Sequence, residues 1–245
     1  EGGFHPAARF LGHHDRVVLL LDEVRAQGID QVVLKQLVQW HLADVLNLHR
    51  PVAGELMSQG NENLSAGRYK DAVDAFQKIK DRFPYSKHAV GAELKMADAL
   101  YLQEEYELAY TAYDEFEKLH PKHKDMPYVI YQKGMSNFSQ VKSKDREQAH
   151  TLKAKDEFER LIKRFPRDEY ANKARKNLRE CLIYLAEYEL YVANFYYKQG
   201  RYRAALGRYT YILHNYPDMG QYQDAMEGIT RCKEKLAQET AQEGT

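Results

Sequence analysis

The residues able to carry acid–base, nucleophilic or metal chemistry are present in this chain, but not at the spacings such chemistry needs. His13, His14 and Asp15, with His41 and His49, gather imidazoles near the start of the sequence. No two of these histidines stand four apart on a helical pattern, so nothing makes them converge on one ion, and they read as loop and half-exposed helical residues. Glu187 and Glu189 bracket Tyr188, yet helical positions two apart diverge, which excludes a paired-carboxylate site. Cys181 and Cys232 each fall inside a helical pattern and form no CxxC, so neither a disulfide framework nor a zinc site is expected. No nucleophile elbow, phosphate loop or zinc spacing occurs. The expectation is a non-catalytic protein that needs no cofactor and no metal.

What remains is the chemistry of recognition. Asn61, Asp98, Tyr101, Tyr131, Met135 and Phe138, with Met57, Leu64 and Leu94, recur at matching places and could line a groove. There an amide can bond an extended peptide backbone while aromatics pack its side chains. Some of these, Leu94 and Tyr131 first, read better as ordinary helix packing; Asn61 and Tyr101 read as groove. Arg208 stands where the other copies of the pattern hold Ala75, Ala112 and Glu157. Taken alone it reads as a long side chain lying on a solvated face. The sharper reading is a contact with a partner's carboxylate.

These residues are positioned by a repeated helical unit. The clearest copy is 185–217, in which a helical pattern runs to Tyr197, breaks at Lys198-Gln199-Gly200-Arg201 and restarts at Tyr202. Gly200 can take the left-handed backbone that ends a helix, and Pro217 closes the second one. Alanines early in each second helix set the register: Ala72, Ala109, Ala154 and Ala205. Four residues on come Phe76, Tyr113, Phe158 and Tyr209; seven on come Ile79, Phe116, Leu161 and Ile212; twelve on come Pro84, Pro121, Pro166 and Pro217. Offsets of four and seven share one helix face. In each first helix a small residue recurs: Gly60, Ala97, Gly134 and Ala193. This is the layout of tetratricopeptide (TPR) hairpins, which cannot bury their faces singly and must stack.

The expected fold is therefore all-α, a right-handed solenoid of about five TPR-like hairpins. Repeats fall at about 53–84, 88–121, 126–166 and 168–217, followed by a capping helix at 221–238 and a polar tail at 239–245. The anchors lie 37, 45 and 51 residues apart. The first excess predicts a polar loop after Phe138 (SQVKSKDREQAHTLK). The second predicts one helix from about Asp168 to Lys198, about 45 Å long. Residues 1–50 differ in kind: all nineteen tyrosines lie at or after Tyr69, the single tryptophan is Trp40, and five of ten histidines precede residue 51. They predict a separate helical hairpin, dispensable for folding of the repeats.

Lysine plus arginine equals aspartate plus glutamate at 36 each, so no net field draws the chain to nucleic acid or an acidic membrane. No basic stripe of the kind phosphate binding needs is visible. No apolar run approaches the length of a membrane span, and no signal peptide precedes the repeats.

The stretches ERLIKRFPRDEYANKA (159–174), LAEYELYVANFYYKQGRYRAALGRY (185–209) and HNYPD (214–218) resemble the BamD/ComL lipoproteins of the bacterial outer-membrane β-barrel assembly machine. So do MPYVIYQKGM (126–135) and FPYSKHAVGAELKMADALY (83–101), and the likeness covers about residues 53–238. It implies a five-repeat scaffold on the periplasmic side of the outer membrane. Its C-terminal repeats would bind the POTRA region of a BamA-type barrel protein, and its N-terminal repeats unfolded outer-membrane protein segments. The family's Ala-Ala-x-x-Arg step carries over to Arg208, with Tyr197, Tyr202 and Glu187 beside it, which moves the reading of Arg208 toward partner contact. Members begin with a lipidated cysteine; here the first is Cys181, so membrane attachment is expected only through an anchor absent from this chain. The other readings are a different periplasmic TPR adaptor, for division or pilus assembly, or a cytosolic peptide-clamp co-chaperone. The last would need lysines beside Asn61 and Asn194, and they are missing there.

Overall fold

The computed structural model describes residues 52–141 and 148–243. The hairpin expected before residue 51 and the middle of the polar insertion lie outside the described residues. Within them the chain forms nine α-helices and no strand. These are α1 (Ala53–Ser65), α2 (Tyr69–Arg82), α3 (Ala89–Leu102), α4 (Tyr106–Leu119), α5 (Met126–Phe138), α6 (Ala149–Arg164), α7 (Glu169–Lys198), α8 (Tyr202–Asn215) and α9 (Tyr222–Glu243). Each helix packs on the next in sequence, α5 also touches α7, and α7 touches α9. Contacts confined to near neighbours are the mark of a solenoid, and the TPR solenoid expected from the repeat pattern is what the chain forms.

The repeat positions build the core. Ala72, Ala109, Ala154 and Ala205 are fully buried, as are the aromatics four residues on. The small first-helix positions admit those rings: a Cβ built on Gly134 would come within 2.4 Å of the Phe158 ring, and one on Gly60 equally close to Phe76. Between the two helices of a repeat the backbone turns through the left-handed region at Gly67, Gly200 and, without glycine's freedom, Glu104 (φ 64°). Tyr106 and Tyr202, two residues past that turn, pack edge-on against Tyr101 and Tyr197 with ring centroids 5.4 and 5.3 Å apart.

Two elements differ from expectation. Residues 149–153, read as the end of a polar loop, form the first turn of α6. Thr151 is buried there and donates to Gln148 Oε1 at 2.9 Å, which anchors the helix start. The tail read from residue 239 continues α9 to Glu243, with Thr240 returning its hydroxyl to Leu236 and Ala237 carbonyls. The long helix is present as α7, thirty residues capped by Asp168, whose Oδ1 accepts from the Tyr170 N–H at 2.8 Å. Its first half joins the central core through Ala171, Ala174 and Cys181. Its second half joins a C-terminal core with Ala193, Tyr209 and Cys232. Between them Leu185 and Ala186 pack on Tyr216 and Met219.

Candidate functional site

The first helices of the repeats carry the predicted groove residues, and the structure gives those residues different surroundings. Asp98 on α3 accepts hydrogen bonds from the Tyr113 and Tyr128 hydroxyls, both at 2.6 Å. Gln132 donates to the Tyr128 hydroxyl at 3.1 Å. Burial raises the Asp98 carboxyl above its usual range, although the two tyrosines and Lys95 pull it down. The homologous pair in the fourth repeat is Tyr209 donating to Asn194 Oδ1 at 2.7 Å. In the first repeat the ring is Phe76, which has no hydroxyl, and Asn61 Oδ1 is buried without a hydrogen-bond partner.

Tyr101 shares a hydrogen bond with Ser139 at 3.1 Å. Tyr131 lies against Phe158 and Tyr170, and Phe138 lies against Phe158 and Tyr184. Met135 receives the Asn177 amide at its sulfur. Tyr131, Met135 and Phe138 are thus half-buried on the central core, together with Leu94. Two aromatics that periodicity did not single out complete this wall. Tyr128 and Tyr170 meet edge-on at 5.3 Å and, with Leu94, Pro127, Lys124, Asp125 and Asp168, line an open depression of about 340 Å³. Tyr170 stands opposite Tyr128 only because α7 packs on α5, which the distance along the sequence hides.

At the other end, Arg208 on α8 reaches back to α7. Its Nη1 donates to both oxygens of Glu189, at 3.1 and 2.9 Å. The arginine that repeat packing did not require therefore holds a carboxylate of its own chain, while Nε and Nη2 donate to no described residue. Its side chain is 45 % exposed and that of Glu189 13 %. Glu187 makes no ion pair among the described residues, and two positions along the helix it faces away from Glu189. Tyr197 and Tyr202 are occupied with one another at the repeat turn, and Arg231 lies over the Tyr197 ring at 5.3 Å.

The face around Arg208 is made by other residues. Tyr196, Arg201, Arg203, Gly207, Arg208 and Tyr211 surround an open depression of about 500 Å³. Tyr196 stacks edge-on with Phe195 at 6.0 Å. Tyr211 is 44 % exposed, a large ring kept in water beside these three arginines, while Tyr191 and Phe195 on α7 are 49 and 52 % exposed outside this depression. Aromatic and arginine side chains together are what the centres of protein interfaces are rich in. Cys181, the nearest nucleophile on α7, is buried, and burial pushes its thiol up to about 12, so it stays protonated.

Among the described residues no group of histidine, cysteine and carboxylate side chains could hold a metal ion. No described helix is long and apolar enough to cross a membrane. A family described as YfiO, outer membrane lipoprotein, matches residues 51–245. A protein of Neisseria meningitidis serogroup B named outer membrane protein assembly factor BamD is 29 % identical over 192 residues, covering 74 % of this chain and 72 % of that one. Proteins of the same name from Rickettsia prowazekii and Vibrio cholerae are 31 and 25 % identical. The first covers 68 % of this chain and 66 % of its own, the second 71 and 76 %.

Proposed function

The chain belongs to the outer membrane lipoprotein family described as YfiO, and from that premise we propose that it is a non-catalytic scaffold for assembly of outer-membrane proteins. It works from the periplasmic side of that membrane. The α7–α8 face docks the POTRA region of the barrel-forming subunit, and the inner wall of the first three repeats receives unfolded outer-membrane protein segments. The single observation that carries the docking assignment is the exposed Tyr211 set with Tyr196 among Arg201, Arg203 and Arg208. Solvated aromatics of this size cost solubility unless a partner covers them.

The assignment is mechanical rather than chemical. α7 ties the two halves into one body, so a partner seated on α7–α8 is held at a set distance from the Tyr128–Tyr170 wall. Arg208 is preorganised by Glu189 and keeps two nitrogens for a partner carboxylate. Asp98, already bonded by two tyrosines, holds those rings upright in the wall instead of bonding a peptide. The test is co-purification of the tagged chain with a POTRA-containing barrel protein, together with depletion of the chain in cells. The scaffold reading expects the two proteins together and outer-membrane barrels reduced. Separate elution with normal barrel levels would overturn it.

A further inference from the structure

The chain has zero formal net charge, yet folding sorts that charge by edge. The loops that join one repeat to the next all lie at one end of the helix layers, because each follows a second helix and precedes a first one. The first three, residues 82–88, 118–125 and 163–168, hold eight lysines and arginines against two acids, Asp125 and Asp168, while the fourth, 216–221, holds Asp218 and no cation. Asp168 caps α7 and Asp125 faces His123 at 3.8 Å. Lys118 and Arg164 are paired, with Asp114 and with Glu117. The other six, Arg82, Lys87, Lys122, Lys124, Lys163 and Arg167, are all exposed and make no ion pair among the described residues.

Lysine and arginine near the C-terminus of a helix satisfy its dipole, which accounts for Arg82 and Lys163. It does not account for Lys87, Lys122, Lys124 and Arg167, which lie beyond the helix ends. Helices pack about 8–10 Å apart, so successive loops stand roughly 16–20 Å from one another along the edge. Tyr85, in the first of them, is 100 % exposed between Pro84 and Ser86. A lone aromatic at the tip of a loop, set among unpaired cations, fits the boundary between anionic headgroups and acyl chains.

We propose that this edge lies against an anionic lipid bilayer, with the six cations at the headgroups and Tyr85 at the interface. The inference is independent of the α7–α8 docking reading, since it uses none of those residues, and it shares only Lys124 among its cations with the Tyr128–Tyr170 wall. It also revises what composition implied, because the basic segments are separated by whole repeats in the sequence and meet only in the fold. Each cation at such a surface is worth about fivefold in partitioning.

The experiment is flotation of the full chain with phosphatidylcholine vesicles and with vesicles containing one third phosphatidylglycerol, at low and high salt. Association with the anionic vesicles alone, weakened by salt, is expected. Lys122→Glu with Arg167→Glu should lower partitioning at least tenfold, while Lys70→Glu with Lys198→Glu, at the turns of the opposite edge, should leave it within about twofold. In a Trp40→Phe background, Tyr85→Trp should show a blue-shifted emission with the anionic vesicles and none with phosphatidylcholine. Melting curves check that the variants are folded. No flotation, or equal loss from both pairs of reversals, overturns the proposal. So does an unshifted emission from the Tyr85→Trp variant on bound vesicles.

Discussion

Within the wall of first helices, single atoms separate one repeat from another. The residue after the small position bonds the aromatic ring of the second helix in two repeats, Asp98 with Tyr113 and Asn194 with Tyr209. In the first repeat the corresponding ring, Phe76, has no hydroxyl, and Asn61 Oδ1 goes unpaired. Phe76→Tyr places a hydroxyl at the position Tyr113 and Tyr209 use, and should stabilise the first repeat by about 1 kcal/mol. Denaturant titration reads this; a destabilised variant would show that the wall has no room for the oxygen.

Asp98 carries a pH dependence of definite sign. Its carboxyl, raised in the folded state above the ordinary 3.8, holds its proton more tightly folded than unfolded. Stability therefore falls as pH rises through the interval between those two values. Asp98→Asn keeps an acceptor for both tyrosines, as Asn194 does for Tyr209, and removes the buried charge. Its melting temperature relative to wild type should climb from about pH 3 and level off above the folded pKa. A difference independent of pH would place the effect in packing instead. The repeat positions were legible in the sequence because each follows from offsets within one helix. The Asp98 triad was not, because Tyr113 and Tyr128 come from two other helices and look like ordinary ring positions.

Helix by helix, the chief device that periodicity did not show is Lys133. It lies on α5, 4 % exposed, with Nζ 2.6 Å from Asp114 on α4, 3.1 Å from Glu117 on α4 and 3.2 Å from Glu157 on α6. Arg160 binds the same two glutamates from α6, and Tyr110 donates to Glu157 at 3.2 Å. Burial opposes the ammonium charge, but the three carboxylates more than offset it and hold Lys133 above its usual range. Lys133→Ala leaves Asp114 with Lys118, Glu117 with Arg160 and Arg164, and Glu157 with Arg160, and removes the one cation that binds all three, so it should cost about 3 kcal/mol. Chemical denaturation measures it; a loss below about 1 kcal/mol would mean that those remaining cations carry the cluster without help. Nothing in the sequence marks Lys133, since a lysine on a mixed helical face ordinarily reaches water. The start of α6 was missed for a related reason: Ala149–Lys153 is polar, and only the burial of Thr151 shows it to be helix.

At the scale of the described molecule, α7 joins the central core to the C-terminal one, and this long helix was legible because inserting about four turns keeps its apolar face in phase. Which surface faces a partner was only half legible. Arg208 was marked by its departure from the repeat, but Tyr196 and Tyr211, the apolar part of the depression beside it, were lost among nineteen tyrosines. Their exposure shows only once α7 and α8 are placed together. The internal pair with Glu189 also changes what Arg208 is expected to do. With Arg208 45 % exposed the pair is worth about 1 kcal/mol or less to the fold, and the role proposed for Arg208 lies with a partner.

The most direct test is a calorimetric titration of the protein with the POTRA domain nearest the barrel, for wild type, Arg208→Ala and the pair Arg203→Ala with Tyr211→Ser. The account predicts saturable binding by wild type and a loss of about tenfold or more for each variant, with melting curves close to wild type. Wild-type affinity in both variants, or no binding by the wild-type chain, would contradict it.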